Sequence, residues 1–164
     1  MAETFEILTT SPRVEPVPSG IDDSARKEVA TDLGGILGAT YSLLIKTHVH
    51  HWNVVGPLFH PLHVMLEEEY ETLFESTDLY AERIRALGFP APIPAISVPP
   101  EARIMSAEEI VVDLVADHAA VVRRMREVAL KADSLEDIVT HDMLVARMTL
   151  HEKTMWMLRA VVAK

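Results

Sequence analysis

From Phe89 to Ile104 the chain reads FPAPIPAISVPPEARI, and the five prolines of this stretch constrain the fold more than any other feature. Each proline lacks a backbone donor and its ring clashes with the preceding helical turn, so no long helix can pass through the segment. A stretch of that length without regular structure must be a connection laid over the surface, long enough to cross the molecule and with room for one short turn of structure. The sequence on either side is helical in pattern. Before it, a run capped by Asp22, Asp23 or Ser24 extends through His51, with Val29, Leu33, Ile36, Leu37, Tyr41, Leu44 and Ile45 on one broad face. A Gly56-Pro57 break follows, and Pro61 suits the first turn of a second helix that ends at about Leu87, before Gly88. After the proline segment, Ser106-Ala107-Glu108-Glu109 forms a capping box that opens a third helix, expected to reach about Lys131. The fourth is expected to start near Ser134, with Glu136 and Asp137 in its first turn where they complement the helix dipole, and to continue to about Val162. The predicted fold class is all-α, a four-helix bundle whose two helix pairs are joined by a long crossover.

One domain accounts for 164 residues. Residues 1–20, broken by Pro12, Pro16 and Pro18, read as an irregular tail, and residues 21–164 as the bundle domain. A hydrophobic fraction of 49% is high for so short a chain and fits a subunit that hides apolar surface against copies of itself. The net charge of −10 repels nucleic acid and attracts cations. With no cysteine, thiolate metal sites and thiol catalysis are excluded, so any metal must be held by nitrogen and oxygen. The first twenty residues contain no continuous apolar stretch of the secretory kind, and no run approaches membrane-spanning length, so the expectation is a soluble, cytoplasmic protein.

Five of the eight histidines, His48, His50, His51, His60 and His63, crowd the turn between the first two helices. Imidazole is a common metal ligand, and the second helix adds Glu67, Asp78 and Glu82. His63 and Glu67 are four residues apart, as are Asp78 and Glu82, so each pair shares a helix face. The eleven steps from Glu67 to Asp78 make about three full turns, which aligns the two pairs but separates them by roughly 16 Å. Metal–ligand bonds of about 2.0–2.2 Å cannot bridge that gap. In an antiparallel hairpin His51 lies beside His63, whereas the level of Asp78 falls near Ile36, where there is no histidine. A second copy of the same helix, running antiparallel across a two-fold axis, would unite His51, His63 and Glu67 with Asp78 and Glu82 and create two identical sites per dimer. The alternative, a di-iron centre inside one bundle, needs a Glu-x-x-His motif, and no histidine here has a glutamate three residues before it.

The run Lys46-Thr47-His48-Val49-His50-His51-Trp52-Asn53-Val54-Val55-Gly56-Pro57, followed by Phe59, His63, Glu67, Asp78 and Ala81-Glu82-Arg83, resembles the signature of the Dps family, the small ferritin-like proteins. The resemblance implies a dodecameric shell whose dimer-interface sites act as a ferroxidase: they bind Fe(II), oxidise it preferentially with hydrogen peroxide, and store Fe(III) mineral in the cavity against oxidative damage. It implies iron as the metal, held by His51, His63 and Glu67 of one subunit and Asp78 and Glu82 of the next, with His48 an additional candidate. Trp52 beside the site is either an interceptor of oxidising radicals or an interface anchor. In similar shells acidic residues near the start of the fourth helix line three-fold pores; Asp133 and Asp142 fall on such positions, while Ile138 stands where an acid is often found. Direct DNA binding in similar proteins uses a Lys/Arg-rich tail, but this tail carries Glu3, Glu6 and Glu15 against Arg13, so it is not expected here.

Plainer readings exist for several of these residues. Extra histidines at a turn, such as His48, His50 and His60, often cap a helix or face solvent. His118, His141 and His151 read as ordinary helix residues, and the triplet Glu67-Glu68-Glu69 reads mostly as a solvated face in which only Glu67 has the register for the site. Two other functional classes compete: a structural shell or nucleoid-associated protein with zinc or no metal at the site, and a metal hydrolase that activates water at an open coordination position.

Overall fold

A computed structural model describes residues 14–99, 101 and 103–163. The described residues form four helices, α1 Asp23–Asn53, α2 Phe59–Ala86, α3 Ala107–Ser134 and α4 Ile138–Val161, and no strand. α1 and α2 form one hairpin and α3 and α4 the other. The two stack so that α1 lies on α3 and α2 on α4.

Side-chain pairs fix the directions. Lys46 reaches Asp113 and Asp117 near one end, while Lys131 reaches Glu28 and Asp32 near the other, so α1 and α3 are antiparallel. Thr154 bonds Glu69 and Arg83 bonds Asp137, so α2 and α4 are antiparallel as well. It follows that α2 and α3 run parallel, and the segment between them must travel the length of the bundle. It does so along α1: Pro92 sits over Gly34, Ala95 over Gly38, and the Ser97 amide donates to the Ser42 hydroxyl at 2.9 Å. Gly34, Gly38 and Ser42 are spaced by one helical turn and form a shallow track that bulkier residues would fill.

The core is continuous through the bundle. On α1 the buried stripe is Val29, Leu33, Ile36 and Leu37, and it continues through Thr40, Leu43 and Thr47 to His50. This corrects the expected face: Tyr41, Leu44 and Ile45 are only half-buried, because the stripe steps by fours and threes and drifts onto two threonines that a purely apolar reading passes over. α3 begins as expected, with Ser106 accepting from the Glu109 amide and the Glu109 carboxylate accepting from the Ser106 amide.

The start of α4 differs from expectation. Glu136 takes a left-handed backbone conformation with φ of 63°, and Asp137 stands outside the helix as its cap, accepting from the Thr140 amide at 3.0 Å. Asp137 is fully buried and also accepts from Arg83 of α2 at 2.6 Å, a contact that a place in the first turn would not allow. Residues 14–20 have no regular structure. The Glu15 amide bonds the Gly88 carbonyl and its carboxylate pairs with Arg85, tying this stretch to the end of α2; positions 1–13 of the expected tail lie outside the described residues.

Candidate metal centre

The turn between α1 and α2 brings His51 and His63 face to face. Their rings stack with centroids 3.8 Å apart and an interplanar angle of 19°, and Phe59 stacks on the outer side of His63. Each ring also bonds the other residue's backbone: His51 Nδ1 lies 2.9 Å from the His63 carbonyl oxygen, and His63 Nδ1 lies 2.9 Å from the His51 carbonyl oxygen. A carbonyl only accepts, so each Nδ1 carries the proton and each Nε2 is left with a free lone pair. Histidines that ligate metals are commonly oriented in this way, through a bond from the other ring nitrogen.

Glu67 follows one turn after His63 and is exposed. Asp78 and Glu82 are exposed too, but α2 is unbroken from Phe59 to Ala86, so the roughly 16 Å between the two carboxylate positions stands. Among the described residues of the single chain, no three His, Asp or Glu side chains converge on a common ion position. The chain therefore presents a histidine half, His51 of α1 beside His63 and Glu67 of α2, and a carboxylate half, Asp78 and Glu82, farther along α2.

The other histidines of the turn separate into distinct environments. His48 is wedged between Trp52 and Tyr70, each 4.2 Å away by ring centroid, and its ring is 6.0 Å from that of His51. His50 points the opposite way, with Nε2 3.0 Å from Asp113 Oδ2. Asp113 also accepts from Lys46; burial opposes its charge, but the bonds from Lys46 and His50 prevail and hold the carboxyl below its ordinary range. His60 is exposed on the first turn of α2. Trp52 is 62% exposed, an unusual position for an indole in a chain without a partner.

Asp133 lies in the last turn of α3 and Asp142 in the first turns of α4, both exposed, and Ile138 opens α4 with its side chain in solvent. Asp133 thus closes α3 just before the inter-helix turn, and Asp142 lies on α4 itself. The His141 Nδ1–H donates to the Ala129 carbonyl at 3.1 Å.

Three features escaped the sequence reading. Tyr70 stacks on His48 and meets His51 edge-on at 5.3 Å, and burial together with Glu67 and Glu71 holds its phenol above the ordinary range. Glu69 is not part of a solvated face: its side chain is 10% exposed and turned into the bundle. His118 and His151 are not ordinary helix residues but a buried pair, their Nδ1 atoms 2.8 Å apart. They are far apart in sequence and on different helices, so no spacing signals the contact.

Comparison with known proteins gives a consistent picture. Residues 32–164 match the model of the ferritin-like domain. An uncharacterised low temperature-induced protein of Nostoc is 38% identical over 151 residues, covering 87% of this chain and 84% of that protein. DNA protection during starvation protein 1 of Deinococcus radiodurans is 33% identical, covering 87% of this chain and 72% of that protein. Among solved structures, a Dps protein from Bacillus brevis superposes with a TM-score of 0.77 at 31% identity, covering 85% of this chain and 98% of that one.

Proposed function

Because this chain belongs to the Dps family of ferritin-like proteins, we propose that it stores iron as an assembled shell and oxidises Fe(II) at sites completed between subunits. The observation that carries this reading is the pair of stacked histidines, His51 at the end of α1 and His63 at the start of α2, with both Nε2 lone pairs free and the carboxylates Asp78 and Glu82 too far along α2 to join them. In the proposed site His51 Nε2, His63 Nε2 and Glu67 hold the ferrous substrate, and Asp78 and Glu82 of the partner subunit complete its coordination. Added carboxylates favour the harder ferric product. Each hydrogen peroxide molecule accepts one electron from each of two ferrous ions; its oxygen–oxygen bond breaks, and hydrolysis of the two ferric ions to oxyhydroxide releases four protons. Peroxide as preferred oxidant is part of the proposal, as is a dodecamer with a mineral-filled cavity.

Assembly is also supported by what the single chain leaves uncovered. Trp52, Phe59, Phe74 and Leu79 are exposed along the side that carries the proposed ligands, and Ile138 and Val139 are exposed at the start of α4. Apolar residues in such groups mark contact surfaces. Trp52 is proposed to act there as an anchor, and His48 as its packing partner. Asp133 and Asp142 remain proposed pore residues. No helix among the described residues is long and apolar enough to cross a membrane.

Stopped-flow titration of the purified shell with Fe(II) and peroxide tests the proposal. Stoichiometric oxidation is expected in the parent protein and its loss in His51→Ala and in Asp78→Ala, with the shell still intact by gel filtration. Full oxidation in either variant would overturn the shared site.

A further inference from the structure

Away from the turn, α2, α3 and α4 each contribute one ionisable side chain to a buried row, Glu69, His118 and His151, with His118 in the middle. His118 has no exposed surface and His151 is 2% exposed, and their Nδ1 atoms lie 2.8 Å apart, within hydrogen-bond distance. His118 Nε2 lies 3.5 Å from Glu69 Oε1, while Glu69 Oε2 accepts from the Thr154 hydroxyl at 2.7 Å. The Nε2 atoms of both histidines are buried with no hydrogen-bond partner among the described residues, an arrangement that cores normally avoid.

Tautomer logic sharpens the point. If the His118 Nδ1–H donates to His151, the His118 Nε2 is a bare lone pair 3.5 Å from a carboxylate oxygen, and two acceptors stand close together without a hydrogen bond between them. The separation is the one that a shared cation needs: two ligands at about 2.1 Å from a tetrahedral ion stand about 3.4 Å apart. We propose that Glu69 Oε1 and His118 Nε2 are two corners of a second, intrasubunit site for a first-row divalent cation such as Zn(II) or Co(II). His151 is its positioning residue, accepting the His118 Nδ1 proton and so fixing the ligating tautomer.

The carboxylate end of the site borders solvent, while His118 lies behind it in the core. A recess of about 150 Å³ opens between α2 and α4, with Glu69 and Thr154 among its lining residues and Glu68 and Lys153 beside them. Water entering there supplies the remaining ligands. Arg147, also buried, holds its Nη2 near the Thr72 carbonyl and adds an opposing positive charge, which places the affinity below that of a closed four-ligand zinc site. Glu69 is two residues from Glu67, about 200° around the helix, so the two carboxylates serve opposite faces. This second site therefore stands or falls independently of the inter-subunit reading.

The experiment uses the full-length shell carrying His63→Ala and Asp78→Ala, which removes the proposed inter-subunit ligands, stripped of metal and titrated with Co(II). One ion per chain with the intense visible bands of low-coordinate cobalt is expected. Adding Glu69→Gln or His118→Gln should weaken binding at least tenfold, and His151→Phe should weaken it about 10- to 100-fold, with helix content unchanged. Absence of the cobalt bands, or binding indifferent to His118→Gln, would overturn the proposal. A readout that needs no core substitution is an anomalous map of the unmutated protein soaked with Zn(II): a peak within bonding distance of Glu69 and His118 supports the site, and density for water alone at that position removes it.

Discussion

Replacing Gly38 with alanine tests the claim that the crossover is seated on a glycine track. A Cβ at Gly38 would lie 2.5 Å from the Ala95 carbonyl oxygen and 3.2 Å from its amide nitrogen, both backbone atoms of the proline-rich segment. Backbone cannot swing aside as a side-chain tip can, so the crossover must lift. Overpacking of this kind costs about 2–3 kcal/mol, and the better helix propensity of alanine returns about 1 kcal/mol. The expected net loss is about 1–2 kcal/mol, a fall in Tm of roughly 2–8 °C for a chain of this size. Two neighbours serve as controls. At Gly34 the nearest atom is the Pro92 ring carbon at 3.1 Å, which a small pucker change relieves, and at Gly35 it is the head of the flexible Arg124 side chain. Gly34→Ala and Gly35→Ala should therefore be neutral or stabilising by up to about 1 kcal/mol. Thermal unfolding by circular dichroism at matched protein concentration measures all three, since assembly adds to apparent stability. Should Gly38→Ala melt at or above the parent temperature, the crossover is not held where the contacts place it.

Acidification should weaken the metal-free fold through the buried histidine pair. Burial, and then the charge of His151, lowers His118 to about 3, while burial, and then the charge of Arg147, lowers His151 to about 4, against 6.5 for the ordinary side chain. The unfolded chain thus binds these two protons first, so stability falls as pH drops below about 6.5, by up to about 2.7 kcal/mol per unit until the native values are approached. Glu69 is shifted upward by its own burial and opposes this at the acid end. Urea midpoints at about pH 7 and about pH 5 measure the effect, and equal midpoints would contradict it. Asp137→Ala removes the α4 cap and strands Arg83, with an expected loss of about 3 kcal/mol, whereas Asp137→Asn keeps the cap and should lose roughly half as much. Equal stability of the two variants would show that the ion pair, not the cap, is what matters.

Local rules carried most of the architecture. The prolines of the crossover, the Ser106 capping box and the Gly56-Pro57 break mark boundaries because each acts within a turn of chain, and the observed helices end within a few residues of those marks. The pairing of His51 with His63 followed from hairpin register, which also brings Arg26 against the Leu87 carbonyl at the far end of the same two helices. What stayed hidden depends on contacts between distant segments. Asp137 left the fourth helix to meet Arg83, fifty-four residues away in sequence. Thr40 and Thr47 entered the core although their type suggests surface. Glu69 looked like one of three solvated acids until α3 and α4 closed over it. A carboxylate's role is set by what packs on it, and that is not written in its immediate neighbours.

The mirrored bonds between His51 and His63 also have a meaning for the hairpin itself. The His51 carbonyl belongs to the last turn of α1, among the groups that a helix end leaves without an intrahelical donor, and the His63 ring supplies one. The same imidazole thus closes a helix and presents a lone pair, so its aim is inherited from the backbone rather than from side-chain freedom. Loosening that corner would blur the ligand's direction, and relocating the ligand would unseal the corner; the two properties can only drift together.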